Sequence, residues 1–462
     1  MKIAFCASEV VPFAKTGGLA DVAGALPLAL EAAGCEVIVI MPGYEVVRRS
    51  SSVVRRLKEG ISYAVIGKNI KVYFIENDKY FGRDGLYGGK SGDYPDNLER
   101  FSYYCRRALE LLKEINFRAD IIHVNDWQAA LIPVYLKSIY SQDTFYKNTR
   151  TVLTIHNLGY QGLFPREEFS KTGLDPGLFN IDGLEFYGKI NILKGGLEFC
   201  DVITTVSPTY ALEIQTAELG FGLEGVLRER GSRVFGILNG LDYSVWDPAV
   251  DNLIAKDYSI HSLEDKYINK EDLQKSCGLT PDKETMLAGI VTRLAEQKGL
   301  DILTPVIGNI CKMGLQLVIL GTGDLKYHRL LQKAAKKYPG LISLNLKFDN
   351  RLAHRIYAGA DLFLMPSQYE PCGLGQMISL RFGTIPLVFK TGGLADTVNI
   401  DNGFVFDKYS RQDLLAAGKQ AAAAFRDKAG WRARMERAMR CDFSWEGAAK
   451  AYLKVYEKAL SS

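Results

Sequence analysis

A seven-residue stretch, Lys-Thr-Gly-Gly-Leu-Ala-Asp, occurs twice in this chain, at residues 15–21 and 390–396. Each copy follows a short apolar run and precedes a stretch with helical character. Paired glycines at such a junction let the backbone approach a ligand closely, and the free N–H groups of a helix start bind anions. A tight turn with a capping threonine is the alternative. Seven identical residues in matching contexts favour two nucleotide- or phosphate-handling halves.

Polar side chains follow three apolar runs in the first half of the chain. They are Asp126, His156 and Asn239. Parallel sheets bind ligands beyond the carboxyl ends of their strands, so these positions favour a binding site. For His156 the alternative is a buried histidine hydrogen-bonded at a strand end. For Asp126 it is the capping of a helix that starts at Trp127.

The second half shows the same pattern with more charge. Arg293 and Lys298 follow an apolar run, with Gly299 opening a helix, and two cations in that place suit a diphosphate better than a solvated pair. Glu370 lies between a predicted strand and a Gly-Leu-Gly helix start, which favours a ligand contact over an exposed loop acid. Cys372 beside it is also compatible with simple packing.

Aromatic residues offer a weaker signal. A sugar-stacking surface or core packing would each account for Tyr44, Tyr87, Tyr94 and Trp127. Tyr357 is a candidate for stacking on a nucleotide base, with core packing as the alternative.

The elements that must position these residues alternate between strand and helix. Apolar runs without internal alternation predict parallel strands covered on both faces. The predicted strands are 2–7, 36–41, 121–124, 152–155, 202–206, 234–238, 286–291, 315–320, 341–346, 362–365 and 385–389. With 462 residues, the chain is expected to form two doubly wound, Rossmann-like α/β domains. We place them at 1–245 and 246–444, followed by a tail helix at 445–462.

Composition bounds the class of protein. The chain is 47% hydrophobic and 24% charged, as in soluble globular proteins, and its net charge of +4 is too small to argue for a nucleic-acid or membrane surface. The eight cysteines are scattered, without a Cys-x-x-Cys pair or a zinc-like histidine spacing. They predict a reducing, cytoplasmic setting rather than a disulfide framework.

Taken in order, the motifs resemble those of the bacterial glycogen synthase and plant starch synthase family. The resemblance is carried by Lys-Thr-Gly-Gly-Leu-Ala-Asp-Val at 15–22, Thr-Ile-His-Asn at 154–157, Leu-Asn-Gly-Leu-Asp at 238–242, Arg-Leu at 293–294 with Gln-Lys-Gly at 297–299, Glu-Pro-Cys-Gly-Leu at 370–374, and the second copy at 390–396 with Thr-Val after it. These motifs run almost from end to end of the chain.

The resemblance implies a GT-B glycosyltransferase whose two domains face a central cleft. It implies transfer of glucose from a nucleotide sugar to the non-reducing end of an α-1,4-glucan, with retention of configuration. The first domain would hold the glucan, and the second the nucleotide sugar. The tail helix would pack back on the first domain.

The resemblance also assigns roles. Lys15 would lie at the donor phosphates, Arg293 and Lys298 would neutralise the departing diphosphate, and Glu370 would contact the donor glucose. His156 would accompany the reacting centre, Asn239 would hold a sugar hydroxyl, and Asp126 would orient donor or acceptor. Further donor-site residues would be Gly17, Gly18, Cys372, Gly373, Leu374, Thr391, Gly392 and Gly393. Of these, Gly392 and Gly393, with Leu394, would offer backbone N–H groups to the phosphate or the glucose.

No Asp-x-Asp pair occurs in the chain, so we predict no catalytic metal and no cofactor, with Arg and Lys neutralising the diphosphate instead. Rival readings are a nucleotide-sugar epimerase, a noncatalytic glucan-binding relative and, with less support, a phosphorylase. ADP-glucose is the expected donor, with UDP-glucose possible.

Overall fold

The computed structural model describes residues 1–50, 54–89 and 92–461. They form two compact units, one of Met1–Gly240 with the chain from Trp445 onward, the other of Leu241–Ser444. The boundary lies at 240/241, five residues before the predicted 245/246. The predicted tail helix includes residue 462, which lies outside the described residues.

The first unit contains these strands and helices in chain order: β1 Lys2–Cys6, α1 Gly18–Ala32, β2 Glu36–Pro42, α2 Glu45–Ser50, β3 Arg55–Lys58, β4 Ile61–Ile66, β5 Ile70–Ile75, α3 Asp78–Phe81, β6 Gly88–Gly89, β7 Gly92–Asp93, α4 Asn97–Glu114, β8 Ile121–Asn125, α5 Asp126–Ala129, α6 Leu131–Lys137, β9 Arg150–Ile155, β10 Leu163–Pro165, β11 Glu185–Phe186, β12 Lys189–Asn191, α7 Ile192–Phe199, β13 Val202–Thr205, α8 Pro208–Glu213, α9 Glu224–Glu229 and β14 Val234–Gly236.

The second unit contains α10 Lys266–Ser276, β15 Leu287–Val291, α11 Leu300–Leu303, α12 Ile307–Lys312, β16 Gln316–Leu320, α13 Leu325–Lys337, β17 Ile342–Asn345, α14 Asn350–Gly359, β18 Leu362–Met365, α15 Gly375–Arg381, β19 Ile385–Phe389, α16 Gly392–Thr397, β20 Phe404–Phe406, α17 Arg411–Arg426 and α18 Lys428–Met439. The tail helix, α19 Trp445–Leu460, belongs to the first unit.

The main sheet of the first unit has the order β14-β13-β9-β8-β1-β2-β5-β4-β3 among the described residues. It is parallel from β14 to β5, but sequence analysis predicted neither β5 nor the antiparallel strands β3 and β4. Short turns containing Gly60 and Gly67, both at positive φ, replace the crossover helices there. The topological switch point lies between β1 and β8, where the connections turn to opposite sides.

The second unit forms one parallel sheet in the order β17-β16-β15-β18-β19-β20. Numbered by appearance within the unit, this is the 3-2-1-4-5-6 order of nucleotide-binding folds, with its switch point between β15 and β18. The four central strands are almost completely buried, which explains their continuous apolar runs, whereas the edge strands β17 and β20 are partly exposed, and sequence analysis did not predict β20.

Helix α19 packs on α1 and β9 of the first unit. Tyr452, Val455 and Tyr456 face inward at helical spacing and are buried. Among the described residues, no helix combines the length and the apolar character that a membrane crossing needs.

Candidate functional site

The predicted site residues divide between the two units, and within each unit they lie beyond the carboxyl ends of the strands. Those of the first unit are Lys15, Gly17, Gly18, Asp126, His156 and Asn239. Those of the second unit are Arg293, Lys298, Tyr357, Glu370, Cys372, Gly373, Leu374, Thr391, Gly392 and Gly393. Tyr357 is the exception, because it lies on α14, the helix that precedes β18.

Asp126 begins α5, but its side chain does not cap that helix. Its Oδ1 accepts a hydrogen bond of 2.7 Å from the backbone N–H of His156, which ties the end of β8 to the end of β9. Its φ is +54°, a left-handed conformation that costs a non-glycine residue free energy and is concentrated at functional sites. The capping alternative is therefore wrong. The Asp126 side chain instead joins two strand ends, and its backbone has an unfavourable left-handed conformation.

Burial raises the pKa of the Asp126 carboxyl to about 7, although hydrogen bonds from the backbone of His156 and Asn157 oppose that shift. The nearby charge of Glu9 raises this pKa further. A carboxyl group with a pKa near neutrality exchanges protons under working conditions, which is a property of functional sites.

His156 is held by a side-chain amide. Its Nε2 lies 2.9 Å from Oδ1 of Asn125, whose Nδ2 donates to the carbonyl oxygen of Cys6 at 3.0 Å. Because the amide nitrogen of Asn125 is engaged, Oδ1 is the acceptor and Nε2 of His156 carries the proton. Burial lowers the pKa of His156 to about 3, so the imidazole is neutral near pH 7.

Glu9, which sequence analysis did not propose for the site, organises the first copy of the repeated stretch. Its buried carboxylate accepts hydrogen bonds from the backbone N–H of Thr16, from the Thr16 hydroxyl at 2.6 Å, from the Gly17 N–H at 3.2 Å and from the Tyr87 hydroxyl at 2.6 Å. The N–H of Gly17 is thus engaged within the chain. An acid placed between an apolar strand and a glycine pair is the signal that would have found it.

Lys15 carries an exposed ammonium group at the head of the same copy. Its Nζ lies 2.7 Å from Oδ1 of Asp21, the last residue of the repeated stretch. The pair is open to solvent, so a phosphate can compete for this lysine at little cost.

The glycines of the two copies have different surroundings. A Cβ built on Gly17 or Gly18 would meet nothing within 4 Å, and neither residue has a positive φ. A Cβ on Gly392 would lie 2.1 Å from the carbonyl oxygen of Glu370, and one on Gly393 would lie 2.0 Å from that of Cys372. The second pair is required by packing within the chain, whereas the first pair leaves space open.

In the second copy, the N–H groups of Gly393 and Leu394 are engaged within the chain. The N–H of Gly393 donates to the carbonyl oxygens of Glu370 and Pro371, at 3.1 and 3.2 Å, and that of Leu394 donates to Thr391 at 3.0 Å. The prediction that Gly393 and Leu394 bind phosphate or glucose through their N–H groups is wrong, because the chain uses these donors to hold the Glu370 loop.

Lys298 and Glu370 form an ion pair across the switch point of the second unit. Nζ of Lys298 lies 2.6 Å from Oε2 of Glu370, and the two side chains are 17% and 10% exposed. The backbones of their loops are joined as well, since the N–H of Gln368 donates to the carbonyl of Gln297 at 2.8 Å. Arg293 is exposed, and it makes no ion pair with any residue that the structure describes.

Tyr357 is 4% exposed and packs against Trp246, Phe363 and Phe382. It is a core residue, so its prediction as a base-stacking side chain is wrong. Phe348, which sequence analysis missed, is 89% exposed in the loop after β17. An aromatic residue shortly after a predicted strand was the available signal.

Burial and hydrogen bonding describe three further predicted residues, Asn239, Cys372 and Gly373. Asn239 is buried, and its Oδ1 accepts no hydrogen bond from the described residues, so an outside donor would satisfy it. Cys372 is buried, and Gly373 has a φ of +74°, while the side chain of Gln376 donates to both of their carbonyl oxygens. Tyr44 is fully buried as well, which removes it from any sugar-stacking surface.

Two family models match this chain. Residues 2–229 match the starch synthase catalytic domain, and residues 271–426 match glycosyl transferases group 1. Glycogen synthases from Geotalea uraniireducens and Geotalea daltonii are 48% and 49% identical to it over 480 residues, covering 100% of this chain and 99% of each relative. Glycogen synthase from Thermotoga maritima is 47% identical over 487 residues, with the same coverage.

Solved structures agree with the sequence relatives. The catalytic domain of starch synthase IV from Arabidopsis thaliana, bound to ADP and acarbose, matches with a TM-score of 0.90 and 34% identity, covering 100% of this chain and 99% of that one. Sucrose-phosphate synthase from Thermosynechococcus elongatus has a TM-score of 0.62, 17% identity and the same coverage, which shows the shared fold alone. Since its relatives match it from end to end, the chain belongs to the glycogen and starch synthase family, and it is a hexosyltransferase with the two-domain GT-B fold.

Proposed function

We propose that this protein transfers glucose from ADP-glucose to the non-reducing end of an α-1,4-glucan, retaining the anomeric configuration. The observation that carries the proposal is its full-length likeness to a starch synthase solved with ADP and acarbose. The names of the bacterial relatives support glycogen as the polymer that is extended.

The second unit holds the donor in this proposal. Arg293 and Lys298 neutralise the diphosphate, and Glu370 accepts hydrogen bonds from the glucose hydroxyls while it keeps Lys298 in place. Arg293 is exposed and makes no ion pair with the described residues, so its guanidinium is available to bind a phosphate through two hydrogen bonds. Cys372, Gly373, Leu374, Thr391, Gly392 and Gly393 shape the pocket, the last two by allowing the chain to pack closely.

Phe348 takes the base-stacking role in place of Tyr357. It is highly exposed, and it follows β17 at the carboxyl end of the strands, where parallel sheets bind their ligands. Base stacking on an aromatic face tolerates any base. For that reason UDP-glucose remains a possible second donor.

The first unit supplies the acceptor side and the groups around the reacting sugar. Lys15 reaches the donor phosphates, Asn239 accepts from a sugar hydroxyl, and His156 lies at the glucose ring as a neutral imidazole. Asp126 orients the incoming hydroxyl. The open space at Gly17 and Gly18 supports close approach of a ligand to this turn.

Transfer breaks the bond between the anomeric carbon and the phosphate oxygen, so positive charge develops on the glucose ring and negative charge on the diphosphate. Preorganised cations stabilise the latter. We propose front-face attack, in which the acceptor hydroxyl bonds to the anomeric carbon and its proton passes to the leaving phosphate. We also propose that no metal ion takes part, so EDTA leaves the rate unchanged. A cytoplasmic location stays a prediction from the sequence.

The decisive experiment follows radiolabelled glucose from ADP-glucose and UDP-glucose into glycogen in parallel assays. We expect label in polymer from ADP-glucose, at a higher rate than from UDP-glucose. Label that stays in a low-molecular-weight nucleotide sugar would instead indicate an epimerase, and glycogen binding without transfer would indicate a noncatalytic relative.

Lys15→Ala and Glu370→Ala test the residue roles. Each should lower the rate of transfer on the order of 10²–10³-fold, the cost of removing one preorganised charge-stabilising contact. Lys390→Ala is the matched control, because Lys390 occupies the same place in the second copy and pairs with Asp407 at the surface. Near-normal turnover by Lys15→Ala or Glu370→Ala would disprove the corresponding role.

A further inference from the structure

A groove with basic walls lies in the first unit, and no residue of the proposed transfer site lines it. One wall is the edge strand β14 with the turn before it, and the other is the tail helix α19. The residues that line the two walls include Ser232, Arg233, Phe235, Lys454, Glu457 and Lys458. The groove has a volume of about 560 Å³, which is within the range of sites that bind small molecules.

The floor of the groove is one face of the main sheet at its edge. Phe235 on β14 is paired in register with Thr204 on β13, and Val202 lies two residues before Thr204, so the side chains of Phe235 and Val202 point to the same face. The Lys458 ammonium of α19 lies 4.5 Å from the centroid of the Phe235 ring, which places the helix over this face. Because β14 ends the sheet among the described strands, the groove opens to solvent there.

Positive charge is concentrated in the groove. Three cations, Arg233, Lys454 and Lys458, line it together with one acid, Glu457. Arg233, Lys454 and Glu457 make no ion pair with any residue that the structure describes. Lys454 and Lys458 are about one helical turn apart, a spacing at which like charges repel each other. An anion bound between the two walls would relieve this repulsion.

The end of α19 explains only part of this charge. Cations in the last turns of a helix interact favourably with its dipole, which accounts for Lys454 and Lys458. Arg233 belongs to the opposite wall and directly precedes a strand, so the dipole of α19 gives no reason for it. Its exposed guanidinium has the planar set of donors that binds a phosphate through two hydrogen bonds.

We propose that this groove binds a phosphorylated sugar, at a site separate from the proposed donor and acceptor sites. The three cations bind the phosphate group, with Arg233 as its bidentate partner. The carboxylate of Glu457 would repel a bare anion but accepts hydrogen bonds from sugar hydroxyls, as do the hydroxyls of Ser232 and Ser461, which also line the groove. The half-buried ring of Phe235 contacts the apolar C–H face of the sugar.

A ligand in the groove joins the two elements that lead to the chain crossings between the units. After β14 the chain reaches Gly240, the last residue before the second unit, and α19 begins at Trp445, where the chain returns. These two residues are packed tightly, since a Cβ on Gly240 would lie 2.6 Å from the Trp445 ring. Because the ligand contacts both β14 and α19, it binds the folded first unit alone and should stabilise it against unfolding.

Isothermal titration calorimetry with fructose 6-phosphate tests the proposal. Saturating ADP is present throughout, so that phosphate binding at the proposed donor site is blocked. We expect the wild type to bind one equivalent, and to bind fructose or inorganic phosphate at least roughly tenfold more weakly, because each carries only part of the recognised chemistry. The affinity should fall as NaCl is raised from about 50 mM to about 300 mM, because exposed charges are screened. Fructose 6-phosphate should also raise the Tm.

Arg233→Ala and Lys454→Ala remove one cation from each wall. Each should weaken the binding of fructose 6-phosphate roughly tenfold or more, while the Tm of the ligand-free protein and the rate of label transfer stay unchanged. Arg233→Lys keeps the charge but loses the bidentate geometry, so its affinity should be intermediate. Arg329→Ala is the matched control, because Arg329 is also exposed and without an ion pair in the described chain, but lies on α13 of the second unit. It should bind like the wild type.

A wild-type protein that binds no fructose 6-phosphate in the presence of ADP would overturn the proposal. Binding that Arg233→Ala and Lys454→Ala both retain in full would also overturn it, because the ligand would then lie elsewhere. Equal affinities for fructose 6-phosphate and inorganic phosphate would contradict the assignment of a sugar phosphate. Label transfer judges the proposed function independently, since no residue of the groove takes part in it.

Discussion

In the second copy of the repeated stretch, a side chain at Gly393 would place its Cβ 2.0 Å from the carbonyl oxygen of Cys372. In the first copy, Gly18 has open space around the same position and a negative φ. Glycine is therefore present in the two copies for two different reasons. In one copy it admits the chain's own backbone, and in the other it leaves room for something that is not part of the chain.

Gly18→Ala and Gly393→Ala should fail in different ways. Gly393→Ala should lower the free energy of unfolding by about 1–3 kcal/mol through overpacking. Gly18→Ala should leave stability unchanged or slightly raised, because alanine is the better helix former, yet lower turnover on the order of 10²-fold by displacing the ligand. Urea unfolding and label transfer measure the two effects. A fully active Gly18→Ala would show that no ligand approaches this turn.

Asp126 should give transfer a pH dependence near neutrality. Its pKa is raised to about 7, so the carboxyl is protonated below that pH and can no longer accept a hydrogen bond from the acceptor hydroxyl through a charged oxygen. The kcat/KM for glycogen should rise with pH through an apparent pKa of about 7.

Asp126→Asn is the matched variant, because the amide oxygen can still accept from the His156 N–H but does not titrate. Its kcat/KM should be lower and should lack the step near neutrality. If the step persists in Asp126→Asn, another group must produce it.

At the scale of elements, α19 is attached to the sheet of the first unit by a buried histidine. Nδ1 of His123, on β8, lies 2.7 Å from the hydroxyl of Tyr456, and its Nε2 lies 2.6 Å from the hydroxyl of Thr154 on β9. The ring also packs against Phe5 and Tyr452. One side chain thus connects two neighbouring strands with a helix that is distant in sequence.

This attachment should weaken in acid. Burial, with a smaller contribution from His156, lowers the pKa of His123 to about 3, below its value in the unfolded chain. The stabilisation is therefore complete above about pH 6.5 and is lost as the pH falls toward 3, at about 1.4 kcal/mol per pH unit. His123→Gln should be less stable near pH 8, but its unfolding free energy should fall less steeply below pH 6.5. Equal slopes in urea unfolding would show that His123 does not titrate as described.

At the scale of the whole molecule, each unit collects its polar residues at a topological switch point. Glu9 and Asp126 follow β1 and β8, the strands that flank the switch point of the first unit. Lys298 and Glu370 follow β15 and β18, which flank that of the second. The loops after these strands turn to opposite sides, so a crevice opens between them, and residues far apart in sequence can share it.

Local sequence was sufficient for most strands that are buried on both faces, because a continuous apolar run has one physical explanation, but the apolar run of β5 was missed. It also identified Asp126, His156, Arg293, Lys298 and Glu370 as polar residues at strand ends. It was not sufficient for β3 and β4. Short turns connect these strands, and their side chains are partly exposed, so no long apolar run marks them in the sequence.

The hydrogen-bond partners of these residues could not be predicted from the sequence, because they depend on which loops the sheet order brings together. The repeated stretch predicts two similar anion sites. In the structure, however, the Gly17 N–H donates to the carboxylate of Glu9 in one copy, and the Gly393 N–H donates to carbonyl oxygens of the Glu370 loop in the other. Tyr357 and Phe348 are both aromatic residues near a strand end, and only burial separated the core residue from the exposed one. Residue types and strand ends are local properties, whereas hydrogen-bond partners and exposure arise only when distant segments pack.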